Sequence, residues 1–164
     1  MVEIRQYDKV GRAKIREFLK DRGDIADLGC NVEKITEDAD GYDNDPEVNP
    51  DFTMDLSKGF KCPIQYNGIC ISHFLEHVID VKGFLKSCFN GLEDDGKIAI
   101  IVPDGETVCS ETLGDSSNTH EMLFTPKTLK LYLENAGFRD VFTEYYDRPY
   151  AYKQTKGIFA CGEK

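Results

Sequence analysis

The residues best suited to binding chemistry lie between Asp24 and Asp43. Within this stretch an apolar run, Ile25 to Leu28, ends in Gly29, and a second short run ends in Asp43. In open α/β sheets, ligands bind at the carboxyl ends of the strands, where a glycine lets the backbone approach the ligand and an acid after the next strand holds a ribose. The order of residues therefore predicts a strand, a tight turn and a second strand around a nucleotide-like ligand.

The size and charge of the chain limit the kinds of protein it can be. Its 164 residues, 40% of them hydrophobic, are material for one domain that buries roughly two-thirds of its unfolded surface. We therefore expect a single domain over residues 1–164. The formal charge of -10 argues against duplex nucleic acid or an anionic membrane as a main partner, because phosphate contacts need clustered Lys and Arg. Small molecules, or a basic or neutral partner, fit this charge better.

Two further features suggest the cellular compartment. No apolar stretch approaches the roughly 18 to 20 residues that span a bilayer, and Met1 begins a polar segment without a signal-peptide core. We therefore expect a soluble, cytoplasmic protein. No C-x-x-C pair occurs and several cysteines lie in apolar runs, which favours reduced, mostly buried thiols over disulfides or zinc ligands. The six cysteines are Cys30, Cys62, Cys70, Cys88, Cys109 and Cys161.

The elements that must position the central stretch alternate between helices and strands. Hydrophobic spacing predicts helices over residues 8–22, 73–92 and 126–135, with Thr125 as the N-cap of the last and a possible break of the second at 80–83. Strands are predicted at residues 24–28, 41–43, 52–56, 68–72, 97–102, 138–146 and 158–161, and turns or loops at 57–67, 93–96 and 104–118. This alternation predicts an α/β fold: a Rossmann-like three-layer sandwich with a mostly parallel seven-stranded sheet and a C-terminal antiparallel hairpin.

Four segments of the sequence, taken in order, carry a family resemblance. They are ADLGCN (26–31), GYDNDP (41–46), SHFLEHVIDVKGFLKSCFNGLEDDGKIAIIVP (72–103) and THEMLFTPKTLKLYLENAGF (119–138). Together they resemble the class I S-adenosylmethionine-dependent methyltransferases, and most closely the small methyltransferase-11-like subgroup with a compact D-L-G-C-G-x-x-x-K opening. The third segment is the most specific, because in that family such a sequence links the fourth strand, its helix, an acidic-glycine turn and the fifth strand. The resemblance implies S-adenosylmethionine as cofactor and methyl transfer as activity.

The resemblance also implies roles for the residues around the first loop. Asp27 matches the acid of the first strand, Gly29 the glycine against which the cofactor lies, and Asp43 the acid that grips the ribose hydroxyls. The separation of Asp43 from the loop fits the general ribose rule. Asp27 could instead serve a turn or cap, and Gly29 could serve only a tight turn.

Further along the chain, the resemblance implies an adenine side and a methionine side of the cofactor site. Asn44 could border the adenine, and Asp55 aligns with an acid that in relatives accepts from the adenine amino group. Asp55, like Asp27, could instead be a turn or cap residue. Ser72 and His73 align with the end of the fourth strand, near the methionine part. The full set implied for the cofactor is Asp27, Gly29, Cys30, Asn31, Asp43, Asn44, Asp55, Leu56, Ser72 and His73.

Asn31 is the one departure from the family pattern, which has glycine at this position. Asparagine tolerates positive φ better than most non-glycine residues, so the backbone path of the loop is expected to survive. The side chain still takes space, and the hydrophobic pattern of residues 31–40 is poor. Weaker or altered cofactor binding is the consequence to test.

Three histidines, His73, His77 and His120, lie in the matched segments and are the candidates for a catalytic base. Methyl transfer from a sulfonium is an in-line displacement, so near-attack geometry supplies much of the acceleration. A base is needed only when the acceptor must lose a proton. If residues 73–92 are helical, His77 lies on the same face as His73, where packing or capping is the alternative role.

A metal site is not expected, because the sequence shows no third ligand beside two histidines. Glu76 is expected to be solvated, or to support another residue, and not to be a catalytic acid.

The acceptor site must be built from segments outside the cofactor core. We expect it to involve the loops at residues 104–118 and 147–156, or a second subunit of a homo-oligomer. Four tyrosines could line an aromatic acceptor pocket, although packing or an interface is the common role of alternating aromatics. They are Tyr145, Tyr146, Tyr150 and Tyr152.

The sequence therefore favours a small S-adenosylmethionine-dependent methyltransferase with an unidentified, small-molecule acceptor. The alternative is a non-catalytic binding or scaffold protein that keeps the fold, which Asn31 and the absence of an evident acceptor domain would favour. A nicotinamide-dependent oxidoreductase is disfavoured, because the loop lacks G-x-G-x-x-G and no well-capped helix follows it to receive a pyrophosphate.

Overall fold

A seven-stranded sheet organises the part of the chain described by the computed structural model, which comprises residues 8–108, 120–150 and 153–164. The strands are β1 (Ile25–Leu28), β2 (Asp40–Asp43), β3 (Phe52–Thr53), β4 (Tyr66–Ser72), β5 (Leu92–Pro103), β6 (Arg139–Tyr150) and β7 (Lys153–Glu163). They lie in the order β3-β2-β1-β4-β5-β7-β6, and only β7 runs antiparallel to its neighbours, β5 and β6. The predicted mostly parallel sheet with an antiparallel C-terminal pair is confirmed.

The helices begin and end at residues with recognisable capping chemistry. They are α1 (Lys9–Leu19), α2 (Val81–Asn90), α3 (Gly105–Val108) and α4 (Pro126–Ala136), with 3-10 turns at Pro46–Val48, Leu56–Lys58 and Leu75–His77. Thr125 is the N-cap of α4 as predicted, and Gly137 ends that helix with φ 113°. In the part of the chain seen here, no helix is long and apolar enough to cross a membrane.

Helices cover both faces of the sheet. Buried side chains of α2 and α4, such as Phe84 and Leu129, pack with Ile69 and Ile71 of β4 in one core cluster. Buried side chains of α1, such as Ile15, pack with other strand residues in a second cluster. Successive strand residues alternate between the two clusters, because neighbouring side chains on a strand point to opposite faces. The predicted three-layer sandwich is therefore confirmed.

The segment predicted as one helix from His73 to Leu92 has a different structure. His73 adopts a left-handed conformation with φ 52°, a 3-10 turn spans Leu75–His77, and Val78 is extended. The α-helix begins only at Val81, where the side chain of Asp80 accepts from the Gly83 amide at 2.9 Å. The predicted break at 80–83 thus marks the true start, and the expectation that His73 and His77 share a helical face is wrong.

Two other segments differ from their predicted form. Residues 93–96, predicted as a turn, lie inside β5 as a bulge, since Tyr66 pairs with Leu92 while Gly68 pairs with Lys97. Residues 147–156, predicted as a loop, belong largely to the extended β6 and β7. Of the five cysteines in the described residues, all but Cys62 are buried, as expected; Cys109 lies outside them.

Candidate functional site

The candidate site lies at the carboxyl ends of β1, β2 and β4. β1 pairs in parallel with β2 on one side and with β4 on the other, so the three strands end at the same edge of the sheet. The chain passes from β1 to β2 and β3 on one side and only then crosses to β4. The carboxyl ends of β1 and β4 therefore mark a topological switch point, the position at which open α/β sheets bind their ligands.

The loop after β1 is held firmly against β2. The amides of Gly29 and Cys30 both donate to the carbonyl oxygen of Tyr42, at 2.8 and 3.2 Å. The next amide, of Asn31, donates to Oδ2 of Asp43 at 3.0 Å. Three successive amides thus fix the loop relative to the acid that ends β2.

Asn31 adopts the conformation that glycine would take at this position. Its φ is 53°, in the left-handed region that asparagine enters more readily than most residues. Its side-chain Oδ1 accepts from the amide of Val32 at 2.7 Å, so the side chain lies along its own loop. The asparagine therefore preserves the backbone path, as the sequence predicts.

Gly29 is required by its backbone and by its neighbour. Its φ is 74°, and a Cβ at this position would lie 2.7 Å from Cβ and Cγ of Phe74. The half-buried Phe74 side chain therefore fills the space beside the glycine. Sequence reasoning missed Phe74; the only signal is its position just after the end of β4, which the switch-point rule places opposite the loop after β1.

Asp43 remains able to bind a ligand. One carboxylate oxygen accepts from the Asn31 amide and the other from the Asp45 amide at 3.1 Å. Each carboxylate oxygen can accept a second hydrogen bond, and the side chain is only half-buried. A pair of hydroxyl groups, such as those of a ribose, fits this acceptor set.

Asp27 supports the loop from inside the protein. The residue is fully buried, and Oδ2 accepts from the Ile35 amide at 2.6 Å. Burial raises the pKa of this carboxyl, with the bond from Ile35 opposing it. Direct contact with a cofactor, which the resemblance implies for Asp27, is not available to a side chain in this position. Cys30 and Leu56 are buried as well, at 3% and 2% exposed.

Asp55 is exposed at the start of the turn that follows β3. It caps the turn at Leu56–Lys58 by accepting from the Ser57 amide at 3.1 Å, and it pairs with Lys58 at 2.8 Å. Hydrogen bonds from Lys58 and Ser57 lower the pKa of Asp55 to about 2. Asn44 is exposed beside Asp43, and Ser72 is half-buried at the end of β4.

His73 lies between two buried carboxylates. Its Nε2 is 2.9 Å from Oδ2 of Asp8, and its Nδ1 is 3.6 Å from Oε1 of Glu76. The Tyr146 hydroxyl donates to the same oxygen of Asp8, and Arg148 Nε lies 3.5 Å away. Burial alone would lower the pKa of His73, but the hydrogen bond with Asp8 and the nearby Glu76 carboxylate outweigh it and raise the pKa. Because Nε2 is bonded to Asp8 and Nδ1 is buried facing Glu76, neither nitrogen is open to take a proton from an acceptor.

His77 and His120 come together around Glu76. The two rings are edge-on with centroids 5.1 Å apart, and one ligand atom from each of the three residues lies within 4.8 Å of the others. Glu76 is 2% exposed, so the expectation that it is solvated is wrong. Burial lowers the pKa of His120, which favours its neutral form near pH 7.

The predicted acceptor segments are described only in part. Residues 109–119 of the loop at 104–118, the side chain of Tyr150 and all of Tyr152 lie outside the described structure. Tyr145 is 44% exposed on β6. Tyr146 is buried against Asp8, which makes it a packing residue instead of part of an acceptor pocket.

The fold and the candidate site define a Rossmann-like α/β protein whose candidate ligand site lies at the β1–β4 switch point. Residues 4–142 match the family described as methyltransferase domain, and the chain belongs to that family. The resemblance noted in the sequence is therefore confirmed. None of the curated proteins compared with the chain matches it significantly in sequence.

Solved structures with the same fold are numerous, although their sequences are distant. A SAM-dependent methyltransferase from Archaeoglobus fulgidus is 18% identical, with 96% of this chain and 94% of that chain covered and a TM-score of 0.73. An N-methyltransferase from Bradyrhizobium japonicum, solved with S-adenosylhomocysteine, is 11% identical, with 99% of this chain and 89% of that chain covered and a TM-score of 0.74. The 1,6-didemethyltoxoflavin-N1-methyltransferase of Burkholderia thailandensis is 14% identical, with 98% of this chain and 79% of that chain covered and a TM-score of 0.72.

Proposed function

We propose that this protein transfers a methyl group from S-adenosylmethionine to a small-molecule acceptor. The observation that carries the proposal is the loop after β1, whose Asn31 amide is fixed to the Asp43 carboxylate at the switch point of the sheet. Family membership supports the reaction class. Similar methyltransferases that were solved with S-adenosylmethionine or S-adenosylhomocysteine support the choice of cofactor.

The residues present fit such a cofactor along most of the site. Asp43 would accept from the ribose hydroxyls, and Asn44 and Asp55 would lie on the adenine side. Ser72 would lie beside the methionine part. When bound, S-adenosylmethionine supplies an electrophilic methyl group, and the task of this chain is to orient the acceptor in line with it.

A base is required only if the acceptor must lose a proton. Of the three histidines, His120 suits that role best, because burial keeps its imidazole neutral. His73 is better placed to position Glu76 than to accept a proton, since its ring is engaged by two carboxylates.

One observation favours the alternative of a non-catalytic binding protein. The side chain of Phe74 fills the space beside Gly29, where the family resemblance implies contact with the cofactor. If this side chain keeps its position, the methionine part has less room than in a productive complex.

Calorimetry and an activity assay separate the two functions. The protein is titrated with S-adenosylmethionine and S-adenosylhomocysteine, and then incubated with S-adenosylmethionine and pooled small acids, phenols and amines while S-adenosylhomocysteine is quantified. Binding of both compounds and acceptor-dependent product support methyl transfer. Binding without product from any acceptor class supports the non-catalytic function. If neither compound binds at millimolar concentration, both functions are excluded.

A further inference from the structure

We infer that Glu76, His77 and His120 form a binding site for one divalent transition-metal ion. These residues come from the turn after β4 and from the segment before α4, which lie far apart in the sequence. One ligand atom from each lies within 4.8 Å of the other two. This inference goes beyond the proposed methyl transfer and does not depend on it, and a His120 that binds the metal through its imidazole would not also serve as the base.

The separation of the ligand atoms is close to what a metal requires. With bonds of roughly 2.0 to 2.2 Å in a tetrahedral site, two ligands of one ion lie about 3.3 to 3.6 Å apart. The ligand atoms, which lie within 4.8 Å of one another, therefore need to approach by at most about 1.5 Å. His77 is exposed and can make this adjustment without disturbing the core.

Two of the three groups have buried polar atoms that no described residue satisfies. Oε2 of Glu76 and Nδ1 of His120 are buried and have no hydrogen-bond partner within the described part of the chain. Such orphaned groups are costly in a protein interior, and an unplaced ion is one of the standard explanations for them. A metal ion at the centre of the cluster would satisfy these atoms.

The backbone holds the two segments together without help from a metal. The amides of Glu121 and Met122 both donate to the carbonyl oxygen of Glu76, at 2.9 and 3.0 Å. On the other side of this carboxylate, Oε1 of Glu76 lies 3.6 Å from Nδ1 of the His73 ring, an ion-pair contact that is longer than a hydrogen bond. Such outer contacts are typical of metal ligands.

The ligand set indicates the kind of metal. Two imidazole nitrogens and one carboxylate oxygen suit Zn²⁺, Co²⁺, Fe²⁺ or Ni²⁺, whereas Mg²⁺ and Ca²⁺ prefer oxygen ligands alone. Three protein ligands leave a coordination position for water or a small ligand. Because His77 is exposed, that position is accessible from the solvent.

The test uses metal-free protein prepared by chelation. Titration with Zn²⁺ by calorimetry and with Co²⁺ by visible absorption is expected to give one site per chain. His77→Ala and His120→Ala are each expected to weaken Zn²⁺ binding at least about tenfold, since the loss of even an outer contact of a metal site lowers metal affinity by roughly 10- to 100-fold. Glu76→Gln should act in the same direction, and Glu37→Gln, the same charge change at an exposed site, should leave affinity unchanged.

Two results would overturn the inference. One is the absence of stoichiometric Zn²⁺ or Co²⁺ binding to the parent protein. The other is binding that neither histidine variant weakens, which would assign the metal to thiols elsewhere. His77 and His120 are not in the core, so these variants remain informative if Glu76→Gln fails to fold.

Discussion

Asn31 combines a left-handed backbone with a side chain that bonds to the next amide. We expect the free energy of unfolding of Asn31→Gly to stay within roughly 0.5 kcal/mol of the parent value, because glycine accepts this φ freely. Asn31→Ala should cost about 1 to 2 kcal/mol, the usual cost of a left-handed conformation for an L-residue. Urea denaturation of both variants checks this. Equal stability of the two would mean that φ is not positive in solution.

Asp43 is the residue on which cofactor affinity should depend most. We expect Asp43→Ala to weaken the binding of S-adenosylmethionine at least about tenfold. A hydrogen bond to a charged group contributes roughly 1.5 to 3 kcal/mol, and 1.4 kcal/mol corresponds to a factor of ten in affinity. Calorimetry measures the change. Asp38→Ala, which removes an exposed carboxylate from the preceding segment, is the matched control. Unchanged affinity in Asp43→Ala would remove the ribose assignment.

At the same scale, the positions of some residues of the candidate site were predictable from the sequence and those of others were not. Gly29 and Asp43 were predictable because neighbouring parallel strands bring their carboxyl ends together. Phe74, and the joining of Glu76 with His120, were not predictable. Phe74 shows only ordinary helical spacing in the sequence, and the Glu76–His120 contact depends on backbone bonds between distant segments.

The loop after β1 and the turn after β4 form one unit through the contact of Gly29 with Phe74. We expect Gly29→Ala to cost about 2 to 4 kcal/mol, from the left-handed φ and from overpacking against the ring. In a Phe74→Ala background the overpacking disappears, and the cost should fall to about 1 to 2 kcal/mol. A double-mutant cycle by urea denaturation gives the coupling between the two residues. Strict additivity would show that the ring does not contact the glycine.

Among the elements, those with strong local signals were predicted correctly. The run Lys97 to Val102 lies within β5, and Thr125 and Pro126 begin α4. The segment after His73 failed because Phe74, Leu75 and Val78 satisfy helical spacing while they pack from a 3-10 turn and extended backbone. Hydrophobic spacing indicates which side chains are buried. Burial alone does not distinguish an α-helix from a 3-10 turn followed by extended backbone.

For the whole molecule, Asp8 joins three parts of the fold. It caps α1 and faces His73 after β4 and both Tyr146 and Arg148 on β6. Burial alone would raise the pKa of Asp8, but the bonds from His73, Tyr146 and Gly11 outweigh it and lower the pKa below 3.8. The folded protein therefore binds this proton less readily than the unfolded chain does.

The stability contributed by Asp8 is present above its ordinary pKa of 3.8 and is lost as the pH falls through its lower folded value. We expect Asp8→Asn to be less stable than the parent at pH 7 and to lose less further stability on acidification. Urea unfolding between pH 7 and 3 compares the two slopes, with Asp38→Asn as an exposed control. A parent and an Asp8→Asn variant with parallel acid profiles would contradict this linkage.

The position of β7 in the sheet has a consequence for the order in which the protein can assemble. β7 is the last strand along the described chain, yet it lies inside the sheet, and β6 joins the sheet only through it. During synthesis β6 emerges first and has no strand to pair with until residues 153–163 are also free of the ribosome. The sheet formed by β1 to β5 can therefore gain its last two strands only after β7 has been synthesised, and until then β5 presents an open edge with unpaired backbone groups.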